Sequence, residues 1–259
     1  MTDIAPARPA ATILLLRDRP ELEVLMVRRH HQIDFATGAL VFPGGKAEPG
    51  DQDRAWADRC LGYAEVAEPE RSLRISALRE AFEESGVLLA RDAKGGAWDV
   101  DPRAAAARQT VAKGERPFLD LVRELDLMLD LAAMTLFARW ITPAMMPKRF
   151  DTYFFLATAP SDQLAKCDGW ETVDAEWIAP AEALRLGEAG QRKIIFPTRL
   201  NLELLARSGR TAEEAIAAAR RRDVVVVEPK VVARPDGPTL TIPPDAGYGA
   251  VEELLSAAM

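Results

Sequence analysis

The sequence predicts a layered α/β (α+β) domain. Three observations carry this: short strand-like apolar runs near both ends (Ile13–Leu16, Val224–Val227), a helix-patterned stretch over residues 72–85, and Gly, Pro or Asp wherever the pattern changes. With 48% apolar residues the 259-residue chain has material for a sizeable core, and its 28% charged content does not suit a disordered chain.

Taken in order, Met1–Ala10 carries prolines and mixed charge without an apolar segment, so it is expected to be a short flexible tail rather than a signal peptide. Ala11–Leu16 and Glu23–Arg28 read as strands joined by a turn around Asp18–Pro20, and Leu40–Phe42 as a third strand stopped by Pro43-Gly44-Gly45. Residues 52–71 are polar and irregular, and read as an excursion. Ser72–Ser85 reads as a helix with Ser72 as N-cap and Gly86 as the stop. Pro102–Arg108 and Pro117–Met134 are expected as helices, the latter from apolar residues at helical spacing. Leu136–Thr142, Thr152–Ala157 and Glu176–Ile178 follow as strands, with Tyr153, Phe154 and Phe155 as core bulk. Helices at Ala181–Glu188, Thr198–Ala206 and Thr211–Arg220 come next, the last opened by a capping box with Glu214. Val224–Val227 and Thr239–Ile242 close the chain as strands. The main domain is thus expected over 11–205, with 206–259 a helix-strand extension packed on it.

No apolar run reaches the roughly 18 residues that span a bilayer, so no membrane role is expected. Cys60 and Cys167, widely separated, suit a reducing, cytoplasmic setting. A net charge of −7 disfavours nucleic acid as a partner but not a small phosphorylated ligand. Arg28, Arg29, His30 and His31 form a small basic cluster, and Lys148 and Arg149 a second. Arg220–Arg222 are read as complementing a helix C-terminus.

The chemistry is concentrated in Arg79-Glu80-Ala81-Phe82-Glu83-Glu84-Ser85-Gly86-Val87. At roughly 100° per residue, Glu80, Glu83 and Glu84 share one narrow helix face, while Ile75, Leu78, Ala81 and Phe82 lie opposite. Such like charges repel unless something offsets them, and hard divalent cations with oxygen ligands do so. A solvated acidic face has the same pattern. The glycine turn Phe42-Pro43-Gly44-Gly45-Lys46, where backbone can approach a phosphate or a metal, favours the metal reading.

Together, turn and helix resemble the Nudix signature G-x5-E-x7-R-E-U-x-E-E-x-G-U, opened by Gly45 and closed by Arg79–Val87. Asp51 stands at the family's first Glu and Ala81 at a larger apolar position. Residues 52–78 replace the usual seven-residue spacer, which leaves the role of Asp51 open. The interrupted box, with Arg149-Phe150-Asp151-Thr152, is similar to the peroxisomal coenzyme A diphosphatase branch over about residues 11–205; Gly38-x3-Phe42-Pro43-Gly44-Gly45 matches part of a coenzyme A motif.

The resemblance implies a Nudix-type α/β/α sandwich with a mixed central sheet, an insertion in the motif and helical additions. It implies Mg²⁺ or Mn²⁺ dependence and cleavage of coenzyme A or acyl-coenzyme A to 3′,5′-ADP and (acyl-)phosphopantetheine. Glu80, Glu83 and Glu84 would be metal ligands, helped by a carbonyl near Gly44 and by Glu171, with Asp174 and Glu176 behind it. Glu80, Arg79 and Glu83 would be catalytic, and Arg28, Arg29, Gly45 and Arg149 would bind substrate. The alternatives are ADP-ribose or NADH hydrolysis and a non-catalytic binder; the intact glutamates count against the latter. Homodimer formation stays open. The terminal Ala-Ala-Met lacks the Ser-Lys-Leu address, so no peroxisomal targeting is expected.

Overall fold

The computed structural model describes residues 4–29, 38–98, 101–160, 163 and 172–258. Strands β1 (Ala7–Asp18), β2 (Leu22–Arg29), β3 (Leu40–Val41) and β4 (Gly44–Lys46) are followed by the short β5 (Cys60–Leu61) and helix α1 (Glu70–Ser85). Next come β6 (Ala90–Asp92), α2 (Pro102–Ala112), α3 (Phe118–Glu124), β7 (Leu127–Asp130), β8 (Thr135–Ile141), β9 (Arg149–Thr158) and β10 (Thr172–Ile178). The remainder is α4 (Pro180–Glu188), α5 (Phe196–Ser208), α6 (Ala212–Arg220), β11 (Val226–Val227), β12 (Lys230–Arg234), β13 (Gly237–Thr241), β14 (Glu252–Leu254) and α7 (Leu255–Ala258).

Among the described residues the central sheet is mixed and runs β10-β2-β1-β9-β8-β11, with β3 on β2 and β4 on β1. β1 lies parallel to β9 and antiparallel to β2, which it pairs only from Leu16 to Asp18. Beyond that point β1 takes β4 (Ala11 opposite Gly45) and β2 takes β3 (Arg28 opposite Leu40).

The two-residue period of the strands sorts their side chains between two cores. Ala11, Ile13, Leu15 and Leu25 pack with Leu78, Ala81 and Phe82 of α1 and with α2 and α3. Leu14, Leu16, Met26, Leu40 and Phe42 pack with α4, α5 and α6. Helices therefore cover both faces, the α/β/α arrangement that the resemblance implied. The C-terminal segment joins the second core through Leu240, Ile242 and Tyr248. Trp140 Nε1 donates to Tyr248 Oη, which donates to Asn201 Oδ1, both at 2.9 Å.

Several sequence expectations are corrected. β1 starts at Ala7, so residues 7–10 belong to the sheet rather than to a tail. Pro117–Met134 is not one helix: α3 ends at Glu124, Asp126 turns with φ 50°, and Leu127–Asp130 becomes a strand between β5 and β6. Its apolar residues suit either periodicity, and the pairing with distant strands decides. Helix α1 starts at Glu70 behind Pro69; the Ser72 hydroxyl lies within the first turn and donates to Glu68 Oε2 at 2.9 Å. Gly86 does end the helix, with φ 75°. Thr211 caps α6 as expected, but the Glu214 carboxylate takes the Arg210 N–H. Residues 52–71 give no strand to the central sheet, as expected of an excursion, although Trp56 within them is 1% exposed and in the α1-side core.

Candidate active site

Helix α1 is enclosed on nearly every side: Arg79, Glu80 and Glu84 are buried along with Leu78, Ala81 and Phe82. β4 and the turn after it cover the acidic side, so the alternative of a solvated acidic face does not hold. Glu84 Oε2 accepts the Gly44 N–H at 3.0 Å. A Cβ on Gly45 would lie 2.5 Å from Glu80 Oε1. A Cβ on Gly44 would meet the Ala11 carbonyl and Thr12 Oγ1 at the same distance. The glycines thus make room for the carboxylates and for β1.

Arg79 is the hub. Its Nε and Nη2 donate to Asp51 Oδ1 and Oδ2 at 3.0 and 3.1 Å, and Nη2 also to the Lys46 carbonyl at 2.9 Å. Nη1 donates to Glu80 Oε1 at 3.0 Å and to Glu83 Oε2 at 3.1 Å. Burial works against its charge, but the Asp51 hydrogen bond and the charges of Glu80, Asp51 and Glu83 outweigh this and hold the guanidinium above its ordinary range. For Glu83 the balance goes the other way. Burial raises its pKa to about 7, against the pull of Arg79 and with Glu48 and Asp51 adding repulsion.

Three carboxylates (Asp51, Glu80 and Glu83) therefore gather around one guanidinium and a fourth, Glu84, lies on the Gly44 amide, with Asp51, Glu80 and Glu84 all below a tenth exposed. That buried excess of negative charge on hard oxygen donors fits a divalent cation. Among the described residues, no three His, Cys, Asp or Glu side chains are gathered around one point as a metal would require. Glu80 and Glu83 are turned to Arg79 and Glu84 to Gly44, so a cation bound here would have to draw carboxylates away from these donors.

The last turn of α1, which carries Glu83 and Glu84, and the chain that leaves it are each held by a residue that the sequence did not signal. Arg108 Nε of α2 donates to the Glu83 carbonyl at 2.8 Å. The Gln163 amide pairs with both backbone groups of Leu88, at 2.7 and 2.8 Å. Neither belongs to a motif, and their contacts arise only from long-range packing.

The expected substrate-binding cations are less gathered. Arg28 shares the α4/α5 face of the sheet with Met26 and Leu40, opposite α1, and lies 3.8 Å from Asp174. Its Nε is buried with no hydrogen-bond partner among the described residues. Glu176 on the same strand pairs with Arg192. Arg29 pairs through its backbone with Thr172, and its side chain, like His30, His31 and Glu171, lies outside the described residues. Arg149 is corrected: its guanidinium is committed to the Thr142 and Ala5 carbonyls and to Glu228 at 2.6 Å, a strut between β9, the N-terminus and the segment after β11.

Comparison with known proteins agrees with this geometry. The family model described as the NUDT19 Nudix domain matches residues 64–202, which includes Arg79–Val87 and leaves out Gly44–Asp51. Acyl-coenzyme A diphosphatase NUDT19 of Homo sapiens is 31% identical over 202 residues, covering 62% of this chain and 54% of that protein. The protein of the same name from Xenopus laevis is 25% identical over 206 residues, covering 63% and 54%. The chain thus spans about half the length of these relatives. The crystal structure of a Nudix hydrolase from Alicyclobacillus acidocaldarius superposes with a TM-score of 0.73 at 29% identity, over 83% of this chain and 97% of that one.

Proposed function

The chain belongs to the Nudix domain family of NUDT19, and from that premise we propose that it hydrolyses the diphosphate linkage of coenzyme A or acyl-coenzyme A to 3′,5′-ADP and (acyl-)phosphopantetheine. The observation that carries the chemistry is the Glu84–Gly44 contact, which joins the carboxylate helix to the glycine turn across 40 residues of sequence.

Glu80, Glu83, Glu84 and a carbonyl near Gly44 would hold a divalent cation, Mg²⁺ or Mn²⁺, which would supply Lewis acidity and offset the charge of the diphosphate. Glu171 is the candidate for a further ligand. Arg79, clamped by Asp51, orients Glu80 and Glu83. Glu80 accepts a proton from the water that attacks phosphorus, and the second phosphate leaves with the other half of the substrate. Glu83, whose pKa burial raises to about 7, can hold or release a proton at the site near neutral pH, and would have to be deprotonated to serve as a ligand.

Arg28 and Arg29 are assigned to the 3′-phosphate of the ligand. The buried Nε of Arg28, without a hydrogen-bond partner among the described residues, supports this reading. Its place on the far face of the sheet suits the distal end of an extended ligand better than the reacting diphosphate. Cys60, a buried free thiol, suits a reducing cytosol, and no helix among the described residues is long and apolar enough to cross a membrane.

Incubation with Mg²⁺ and coenzyme A, dephospho-coenzyme A, ADP-ribose, NADH and dinucleoside polyphosphates tests the reading. Fastest cleavage is expected for coenzyme A or its thioesters. Preferred cleavage of ADP-ribose or NADH would leave the chemistry in place and remove the coenzyme A assignment.

A further inference from the structure

Trp56 lies within the segment that interrupts the motif, and its indole Nε1 donates to the Gly50 carbonyl at 2.9 Å. Gly50 immediately precedes Asp51, the acid that holds Arg79. The indole is wedged in place: its ring centroid is 5.6 Å from that of Phe118 on α3, and Phe118 stacks on Phe82 of α1 at 5.8 Å. Phe82 follows Arg79 by less than one helical turn. Arg79, Asp51, Gly50, Trp56, Phe118 and Phe82 therefore close a ring of contacts that begins and ends on the carboxylate helix.

The backbone between Asp51 and Trp56 is built for the same purpose. Two 3-10 turns, Pro49–Gln52 and Arg54–Asp58, meet at Asp53. The Asp53 carboxylate accepts the Ala55 N–H at 2.9 Å and its carbonyl accepts the Trp56 N–H at 3.1 Å. An aspartate side chain has little reach, so the Asp51 oxygens meet Arg79 only if this turn is held close to α1. Reactive groups generally need placement to within about 0.5 Å.

We infer that Trp56 is a positioning residue: it fixes the turn carrying Asp51, and Asp51 in turn sets the Arg79 guanidinium against Glu80 and Glu83. The insertion thus serves the chemistry through geometry instead of standing apart from it. The kinetic consequence rests on the diphosphatase reading above; the structural coupling does not.

Hydrogen exchange read by NMR tests the coupling without substrate or metal. The Arg79 Nε–H, which donates to Asp51 Oδ1, should exchange slowly in the intact protein. W56F keeps an aromatic ring against Phe118 and removes only the indole donor, and should speed that exchange by about tenfold, the worth of one hydrogen bond. F118L loosens the packing that seats the indole without removing the donor, and should lower Tm and speed Arg79 exchange less than W56F does. Because coupling is reciprocal, D51N should speed exchange of the Trp56 indole N–H by a similar factor. In turnover, W56F should lower kcat several-fold at unchanged KM. Unchanged Arg79 exchange in W56F, or unchanged Trp56 exchange in D51N, overturns the inference. Should W56F fail to fold, the D51N arm decides alone. Altered exchange in a protein that cleaves no diphosphate would instead count against the function and leave the positioning role standing.

Discussion

Arg79 and Asp51 meet as a bidentate pair, Nε to Oδ1 at 3.0 Å and Nη2 to Oδ2 at 3.1 Å, with both side chains about one-twentieth exposed or less. They come from opposite ends of the interrupted motif, so the pair closes the motif across the insertion. Removing one partner of a buried pair leaves the other charge uncompensated, which typically costs about 3–5 kcal/mol. D51A should therefore lower unfolding free energy by several kcal/mol in urea titrations and depress activity as Arg79 reorients. An unchanged midpoint would mean that the pair is not formed in solution.

Glu83 links stability to pH and to metal. Its folded pKa, about 7, lies above the ordinary 4.5, so the folded state holds this proton more tightly than the unfolded chain. The contribution is fully present below pH 4.5 and is lost as pH rises through about 7. The loss is on the order of 3 kcal/mol. Metal-free protein should show a falling Tm between pH 5 and pH 8, and E83Q should flatten that slope. Added Mg²⁺ should restore more stability at pH 8 than at pH 5. A metal-free Tm that rises steadily across this range in the intact protein but not in E83Q would reverse the sign and reject the assignment.

Gly45 lets the Glu80 carboxylate approach β4, since a Cβ there would sit 2.5 Å from Glu80 Oε1. G45A should displace Glu80 and reduce kcat by at least about tenfold, with the loss confined to the site because Gly45 has no left-handed φ to strain. Steady-state kinetics and metal titration of G45A check this. Wild-type values for both would mean that Glu80 does not work from this position.

The carboxylate face and the glycine turn were legible because both are local: helical spacing aligns Glu80, Glu83 and Glu84, and Pro43-Gly44-Gly45 is contiguous. The Tyr153–Phe155 run reads as core for the same reason, and all three are buried. What sequence could not supply is long-range register. Arg28 and Arg149 look alike as basic residues beside motifs, yet register puts Arg28 on the face away from α1 and strand order turns Arg149 into a strut. Leu127–Asp130 passed for helix because its partners, β5 and β6, are too short to be seen alone. Asp51 was left without a role because its only evidence is a guanidinium beyond the insertion, and Arg108 and Gln163 left no signal at all.

On the proposed coenzyme A reading, substrate choice would follow from the 3′-phosphate. Charge-assisted hydrogen bonds to phosphate contribute about 1.5–3 kcal/mol, so coenzyme A should be cleaved roughly ten- to a hundredfold faster than dephospho-coenzyme A. R28A should narrow that gap mainly by slowing coenzyme A. Equal rates on the two compounds in the unmodified protein, measured as kcat/KM, would remove Arg28 from substrate recognition.

The central claim is that the α1 carboxylates and the glycine turn form one metal-dependent diphosphatase site. Turnover of coenzyme A by E84Q at limiting Mg²⁺, beside the unmodified protein and with circular dichroism to check the fold, tests it most directly. Glu84 bears a carboxylate oxygen on the Gly44 amide, and Gln keeps that acceptor while removing the charge. The account predicts that E84Q retains the fold and loses turnover by at least about a thousandfold, on the order of 4 kcal/mol of transition-state stabilisation. A folded E84Q that releases 3′,5′-ADP at near-normal rate would contradict it.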